Sequence, residues 1–221
     1  MGLDGLVQAY EVSDELQSEP VRVWSDHGGP VMKVAASPSD DWLLATASQD
    51  GTVRVRDERQ VDPVHVLAQG RDEKQSVIFH PLQGHWLFTG GESSQIQWFD
   101  LRHPSQPLCT FKTRLVNALN SFDHYPAITG LSFNQTGTLL LASPSLYLPT
   151  LYGLHHSEDP LAAFAERGFT NRATIKQFTF AGSTEELIIA GSDDYRLYSW
   201  RLPEVVMEAA HHGHPLPPGE K

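Results

Sequence analysis

The sequence predicts an all-β fold built from repeated sheet units, and three observations support this prediction. A turn followed by a run of alternating apolar residues occurs at residues 4–11, 50–57, 93–100 and 194–201. Alternation at period two indicates a strand with one buried face, and Asp-Gly favours a tight turn. The first three copies begin at positions 4, 50 and 93, close to the step of roughly 40–45 residues between the blades of a β-propeller.

The length of the chain limits the number of repeated units. With 221 residues, the chain has room for only about five of them. We therefore predict an incomplete β-propeller of about four blades plus strands of a fifth, occupying residues 1–203. Residues 204–221 are rich in proline and histidine and are predicted to be a tail, in which 205–210 could add one outer strand.

The first unit is predicted to begin in mid-blade. Residues 4–12 are expected to form one strand whose preceding partners are missing, and residues 21–24 an outer strand. The Asp-His-Gly-Gly segment that follows is typical of a turn. Because a blade without its inner strands has unpaired edges, we expect the chain to be a fragment or an alternative product of a longer propeller.

The later units are more regular. The second has predicted strands at 31–36, 42–47 and 52–57, and the third is expected to begin at Val64. The remaining strands are predicted at 75–79, 86–89 and 95–100, then at 127–133, 138–142 and 149–153, and finally at 175–180, 187–191 and 196–200. Two longer connections, at 112–126 and 155–172, are candidates for binding loops or simple excursions.

Composition and charge narrow the function classes. Acidic residues outnumber lysine and arginine by 27 to 16, the net charge is −11, and no basic run offers a nucleic-acid site. No apolar run approaches the roughly 20 residues that cross a bilayer, and no secretory signal is expected. The one cysteine, Cys109, cannot form an internal disulfide, which favours the nucleus, the cytoplasm or both. A protein partner is therefore favoured over nucleic acid or membrane.

No constellation of residues indicates catalysis, a metal or a cofactor. The sequence lacks a Gly-x-Ser-x-Gly nucleophile elbow and a lysine-bearing phosphate loop. His211, His212 and His214 have no carboxylate or cysteine cluster beside them, so a solvated tail is expected. Cys109 is expected to be a small buried hydrophobe and Trp42 a core residue. We therefore predict a non-catalytic protein without a cofactor.

The best-formed unit resembles the WD-repeat family. His27, the Asp50-Gly51 turn and Asp57 fall in the order and spacing of that family. In WD repeats a histidine, a serine or threonine, the turn aspartate and a tryptophan bond to one another and lock each blade. The resemblance assigns the first three roles to His27, Ser48 and Asp50. Arg56 stands where the tryptophan belongs, so the network is expected to be incomplete in this blade.

Two Asp-x-Arg pairs form the sharpest functional signal, Asp57 with Arg59 and Asp100 with Arg102. Residues two apart in an extended segment point to the same side, so each aspartate can hold its arginine in a fixed pose at the end of a strand. The planar donors of arginine then recognise carbonyls and carboxylates of a partner with direction. The alternative is a pair of surface ion pairs worth about 0–1 kcal/mol each, with no partner.

These two pairs resemble the adaptor-docking box of substrate receptors for cullin-RING ubiquitin ligases, which bind a cullin through the damaged-DNA-binding adaptor protein. The Asp and Arg positions match, although neither box has the usual tryptophan before its aspartate. Stretches at 133–152 and 180–203 also resemble this receptor group. The resemblance implies an adaptor contact through Asp57, Arg59, Asp100 and Arg102, and the recruitment of an unknown protein substrate for ubiquitination. A generic WD-repeat scaffold with no ubiquitin-ligase role is the alternative.

Overall fold

The computed structural model describes residues 4–11, 19–113, 126–154, 158–172, 176–204 and 206–207. Within these residues the chain forms 17 strands in five antiparallel sheets. Three sheets have four strands, one has three and one has two. Each sheet is one blade, and we number the blades 1–5 in chain order. The predicted all-β, incomplete propeller is therefore confirmed.

Several sequence features fall outside the described residues. They include most of the 112–126 connection, His155 and His156, and the three histidines at 211, 212 and 214. The division into a propeller over 1–203 and a tail over 204–221 stays a prediction. No helix in the described part of the chain is long and apolar enough to cross a bilayer.

Blades 1 and 2 differ in how many strands they contain. Blade 1 consists of β1 (Val7–Ala9) and β2 (Arg22–Trp24), paired so that Val7 lies opposite Trp24. Blade 2 is a four-stranded meander of β3 (Val31–Ala36), β4 (Leu43–Ser48), β5 (Val53–Asp57) and β6 (His65–Leu67). The strand predicted at residues 31–36 matches β3, and residues 4–12 contain the shorter β1.

Blades 3, 4 and 5 repeat the meander. Blade 3 contains β7 (Lys74–Phe79), β8 (Trp86–Gly91), β9 (Gln95–Asp100) and β10 (Cys109–Lys112). Blade 4 contains β11 (Ile128–Phe133), β12 (Leu139–Pro144), β13 (Thr150–Gly153) and β14 (Ala162–Ala163). Blade 5 contains β15 (Phe178–Ala181), β16 (Leu187–Gly191) and β17 (Leu197–Arg201). The first strands of blades 2, 3 and 4 share a register shift near their start, which marks them as copies of one unit.

Two predicted boundaries were wrong. Val64 does not open the third unit, because β6 pairs with β5 and completes blade 2. Val206 and Met207 do not extend a strand. Their amides bond to the carbonyl of Pro203 at 3.0 and 3.2 Å in a helical turn.

Apolar side chains fill the space between neighbouring blades. Val55 and Leu87 lie between blades 2 and 3, Phe88 and Leu140 between blades 3 and 4, and Leu141 and Ile188 between blades 4 and 5. All six side chains are fully buried. Successive residues of one strand, such as Leu87 and Phe88, point into different cores because strand side chains alternate in direction. Each middle blade is therefore held on both faces.

A hydrogen-bond network joins the connection ahead of β3 to the turn ahead of β5. His27 Nδ1 lies 2.8 Å from Asp50 Oδ2, and His27 Nε2 lies 2.8 Å from Thr46 Oγ1. Asp50 Oδ1 also accepts the Thr52 hydroxyl at 2.6 Å. Because Nδ1 faces a carboxylate, it carries the proton of the neutral ring, and Nε2 accepts from Thr46.

The serine expected in this network was assigned to the wrong residue. The partner of His27 is Thr46, two residues before Ser48 and on the same face of β4. The Ser48 hydroxyl instead donates to the Gly29 carbonyl at 3.0 Å and accepts the Asp50 amide at 3.1 Å. Ser48 therefore fixes the turn that presents Asp50 rather than contacting the histidine.

The network has electrostatic consequences for both ionisable partners. Burial lowers the pKa of His27 from its ordinary 6.5, because a buried imidazolium loses its hydration. Burial alone would raise the pKa of Asp50, but bonds from Thr52 and His27 outweigh it and lower this pKa from 3.8 to about 2. In both cases the folded state binds fewer protons than the unfolded state. The associated stability is present above each ordinary pKa and is lost as the pH falls through the folded value.

Arg56 fills the position that WD repeats give to tryptophan. Its side chain is buried, its guanidinium lies 5.9 Å from the centre of the Trp24 ring, and Nη2 pairs with Asp26. Asp26 also accepts Arg54 Nη1 at 2.6 Å. An ion pair thus joins blade 2 to the connection that follows β2. Arg56 Nε and Nη1 are buried without a hydrogen-bond partner in the described part of the chain.

We predict that His27→Gln reduces the acid sensitivity of the fold. The wild-type melting temperature should fall between about pH 7 and about pH 5, because the unfolded chain protonates His27 first. The variant should be less stable at neutral pH and should show a smaller fall over this range. Thermal unfolding followed by circular dichroism checks this difference, and an equal fall in both proteins would contradict it.

We also predict that Arg56→Met lowers the free energy of unfolding by about 2–3 kcal/mol, because it leaves Asp26 without its buried partner. Adding Asp26→Asn should recover part of that loss. Arg54→Met is the matched control and should cost less, about 1 kcal/mol or below, since Arg54 is more exposed. Urea denaturation of the four proteins measures these differences, and a double variant no more stable than Arg56→Met would contradict the assignment.

Candidate protein-interaction site

One rim of the propeller is formed by the turns between the first and second strands and between the third and fourth strands of each blade. In an antiparallel meander these turns lie at the same end of the sheet. The first of these turns also touch from blade to blade. Gly84 of blade 3 lies so close to Ser39 of blade 2 that a Cβ added to the glycine would be only 1.7 Å from Ser39 Oγ. His80 Nε2 of blade 3 lies 3.1 Å from the Gly137 carbonyl oxygen of blade 4. We call this edge the docking rim.

The Asp57–Arg59 pair lies on the docking rim at the end of β5. Asp57 Oδ1 accepts the Arg59 amide at 2.9 Å and Nε at 2.8 Å, and Oδ2 accepts Nη2 at 2.6 Å. The Asp57 side chain is nearly buried, whereas that of Arg59 is 56% exposed. The carboxylate therefore holds one edge of the guanidinium and leaves the other towards solvent.

The Asp100–Arg102 pair repeats this geometry at the end of β9. Asp100 Oδ1 accepts the Arg102 amide at 2.9 Å and Nε at 3.0 Å, and Oδ2 accepts Nη2 at 2.6 Å. The Arg102 side chain is 62% exposed. The structure thus places both sequence-predicted pairs at equivalent positions of neighbouring blades, on one rim. In the described residues, neither Arg59 nor Arg102 uses Nη1 for a hydrogen bond.

Charge keeps both pairs intact at physiological pH. Hydrogen bonds from Arg59 lower the pKa of Asp57 to about 2, and bonds from Arg102 do the same for Asp100. The pKa of each arginine is raised by the hydrogen bond to its aspartate. Both partners of each pair are therefore ionised throughout the pH range in which proteins are folded. The arrangement can present two fixed, directional donor groups to carbonyl or carboxylate oxygens of a partner.

Trp42 belongs to this rim, and the prediction that it is a core residue was wrong. It is 50% exposed in the turn before β4, and the Arg59 guanidinium lies 5.9 Å from the centre of its ring. Glu58 N donates to the Trp42 carbonyl at 2.9 Å, just as Leu101 N donates to His85 O at 2.8 Å. Trp42 therefore supports one face of Arg59, and the equivalent position of blade 3 is His85.

Further apolar side chains are exposed on the docking rim. Val61, Leu82 and Leu108 lie in its turns with most of their surface towards solvent. Sequence reasoning missed this set because single apolar residues in turns carry no periodic signal. Apolar side chains interspersed with oriented arginines are typical of surfaces that bind proteins.

Among the residues that the structure describes, neither Cys109 nor a metal-binding group offers an alternative site. Cys109 is half-buried rather than fully buried, and burial raises the pKa of its thiol, with Glu158 adding to the effect. The thiol therefore stays protonated and weakly nucleophilic. Within the ranges that the structure describes, no three histidine, cysteine or acidic side chains are grouped to hold a metal ion.

Comparison with known proteins agrees with this architecture. The family model for the WD domain, G-beta repeat, matches residues 18–57. Human DDB1- and CUL4-associated factor 5 is 33% identical over 193 residues, which are 86% of this chain and 19% of the relative. The mouse protein of the same name is 32% identical over 193 residues, which are again 86% of this chain and 19% of the relative. Protein SPA1-RELATED 3 of Arabidopsis thaliana is 25% identical over 195 residues, 88% of this chain and 21% of the relative.

These matches cover only a part of each relative. The chain spans about a fifth of the length of the curated relatives it matches. The repeat model begins ahead of β2 and ends on Asp57, so it includes the His27–Asp50 network and the aspartate of the first Asp-x-Arg pair. The chain is a WD-repeat β-propeller protein similar to DDB1- and CUL4-associated factor 5.

Proposed function

We propose that this chain is a substrate receptor that recruits proteins to a cullin-RING ubiquitin ligase. In this proposal Arg59 and Arg102 dock on the adaptor DDB1, through which the receptor reaches the cullin CUL4. The observation that carries the proposal is the pair of exposed guanidinium groups, each fixed by a nearly buried aspartate, on neighbouring blades of one rim. The names of the similar mammalian proteins, which refer to DDB1 and CUL4, support it.

The proposed mechanism is proximity rather than chemistry by this chain. The docking rim binds the adaptor, a different surface holds a protein substrate, and the ligase brings a charged ubiquitin carrier close to lysines of that substrate. Holding the reactants together raises their effective concentration without a catalytic group on the receptor. We further propose that this takes place in the nucleus, the cytoplasm or both.

The docking rim favours binding because its arginines are ordered before the partner arrives. A free arginine loses side-chain entropy when it binds, at a cost of about 0.5–1.5 kcal/mol. Each aspartate has already fixed its arginine through three hydrogen bonds or more. Trp42 restricts Arg59 further by lying against its guanidinium. The rim therefore binds an oxygen-rich surface at a lower entropic cost than mobile arginines would.

A generic WD-repeat scaffold is the second candidate, and one observation favours it. The receptor box has a tryptophan directly before its aspartate. In this chain Arg56 precedes Asp57, and Phe99 precedes Asp100. Both side chains are buried and serve the packing between blades. An affinity purification rich in other proteins, without adaptor or cullin, would select this candidate.

We predict that Arg59→Ala and Arg102→Ala each weaken binding of purified DDB1 by about tenfold, which is about 1.4 kcal/mol per substitution. The double variant should bind more weakly than either single variant. Arg71→Ala is the matched control, because Arg71 is exposed in the connection between β6 and β7 at the opposite end of the blades. Biolayer interferometry with the full chain measures these affinities, and unchanged binding by the double variant would contradict the proposed contact.

The fixed pose of the arginines has its own test. Asp57→Asn and Asp100→Asn keep both arginines but remove the charge that orients them, and we predict about threefold to tenfold weaker DDB1 binding. Asp62→Asn, an exposed acid in a turn of the same rim, controls for the change in charge and should bind as the wild type does. Equal losses in all three variants would indicate a bulk charge effect instead of orientation.

A further inference from the structure

The turn ahead of the third strand in blades 2–5 and the turn ahead of β1 in blade 1 have the same backbone feature. One residue there has a positive φ, and it is Gly5 (73°), Gly51 (84°), Ser94 (59°), Leu146 (60°) or Tyr195 (65°). Glycine adopts this left-handed conformation without steric cost, whereas a side chain with a Cβ does so at a cost in free energy. Blades 1 and 2 therefore have glycine at this position, and blades 3, 4 and 5 do not. In blade 3 the Ser94 side chain is buried, and its hydroxyl donates to the Pro126 carbonyl at 2.6 Å.

Packing does not compensate for Leu146 and Tyr195. Leu146 is 65% exposed and Tyr195 is 101% exposed, so neither side chain gains stability from a core. The positive φ strains the backbone, and the exposed apolar side chain is in contact with water. Both effects lower the stability of the folded state. Strain of this kind is concentrated at functional positions in proteins. The two residues therefore indicate a binding role rather than a structural one.

The two turns lie next to each other on the rim opposite the docking rim. Thr170 and Asn171, which precede blade 5, join them: Leu146 N donates to the Asn171 carbonyl at 2.8 Å, and Asp193 N donates to the Thr170 carbonyl at 3.0 Å. Asn171 is buried, and its Nδ2 donates to the Pro144 carbonyl at 2.9 Å. The backbone that presents both side chains is thus tied together.

The chain as a whole is acidic, but basic side chains lie around this pair of turns. Arg172 and Arg196 are exposed beside the two turns, and Arg196 Nε lies 3.8 Å from Asp194 Oδ2. The nearby acids are already engaged, since Asp193 pairs with Lys176 and Asp194 accepts the Tyr198 hydroxyl at 2.7 Å. On a chain with a net charge of −11, this is a place where cationic groups accompany apolar ones. A partner with carboxylates beside an apolar side chain is complementary to it.

We propose that Leu146 and Tyr195, with Arg172 and Arg196, form a binding surface for a linear protein segment that carries an apolar or aromatic residue next to aspartate or glutamate. The apolar residue of the segment packs against Leu146 and Tyr195, and its carboxylates face the two arginines. The surface is separate from the docking rim, and its existence does not depend on whether the chain binds an adaptor. If the proposed function holds, it is where a substrate segment would bind.

The test selects random linear peptides displayed on phage against the full chain and measures the affinity of enriched peptides by fluorescence anisotropy. We expect enriched peptides to combine an aromatic or aliphatic residue with neighbouring acidic residues. Tyr195→Gly and Leu146→Gly should each weaken their binding at least tenfold. The same variants should have an unchanged or higher melting temperature, because glycine relieves the positive φ, and this result excludes unfolding as the cause of the loss.

Two controls make the outcome specific. Leu82→Ser removes a side chain of similar exposure from the docking rim and should leave peptide binding unchanged. Arg172→Ala with Arg196→Ala should weaken the same peptides and make their binding less dependent on salt. The proposal is overturned if no acidic and apolar peptides are enriched, or if the enriched peptides bind the two glycine variants as tightly as the wild type.

Discussion

The packing of one sheet against the face of the next is the constraint on which the rest of this structure depends. Buried residues such as Leu87 and Phe88 leave one strand in opposite directions, so a middle blade is held by a core on each face. Contacts between turns, such as His80 with the Gly137 carbonyl, fix how far one blade is shifted relative to its neighbour. Because the blades are copies in the same orientation, equivalent residues emerge side by side. Asp57 and Asp100 lie on the same rim because they occupy equivalent positions in two repeated units. No special local feature is needed to bring them together.

The fold and the geometry of the two Asp-x-Arg pairs could be predicted because both arise from repeated, local patterns. A turn, alternation at period two and a constant step along the chain are visible in the sequence, and so are two residues spaced to share one side of a strand. Contacts between side chains from distant parts of the chain were harder. Thr46 and Ser48 lie on the same face of β4, so spacing alone did not show which one meets His27. The burial of Arg56 depends on Asp26, which comes 30 residues earlier and belongs to no motif.

The two ends of the blades carry different chemistry. The docking rim combines fixed arginines with Trp42 and other exposed apolar side chains, and each arginine is paired with an aspartate whose pKa is about 2. At the opposite end, Leu146 and Tyr195 stand at positive-φ turn positions that favour glycine, and they expose two apolar groups at a cost in stability. Under the proposed function, a receptor that joins an adaptor to a substrate needs two separate surfaces that do not compete. A propeller provides them because its strands end alternately at either rim.

The most direct test of the central claim, that both arginine pairs share one rim, is a distance measurement in solution. Cysteines that carry spin labels would be introduced in a Cys109→Ser background. Labels at positions 60 and 103, in place of Gln60 and His103, would report on the turns next to Arg59 and Arg102. Labels at positions 60 and 146, in place of Gln60 and Leu146, would report on opposite rims. All three labelled positions are exposed. Double electron–electron resonance should give a shorter mean separation for Gln60 and His103 than for Gln60 and Leu146. A separation between Gln60 and His103 equal to or longer than the cross-rim distance would contradict the account.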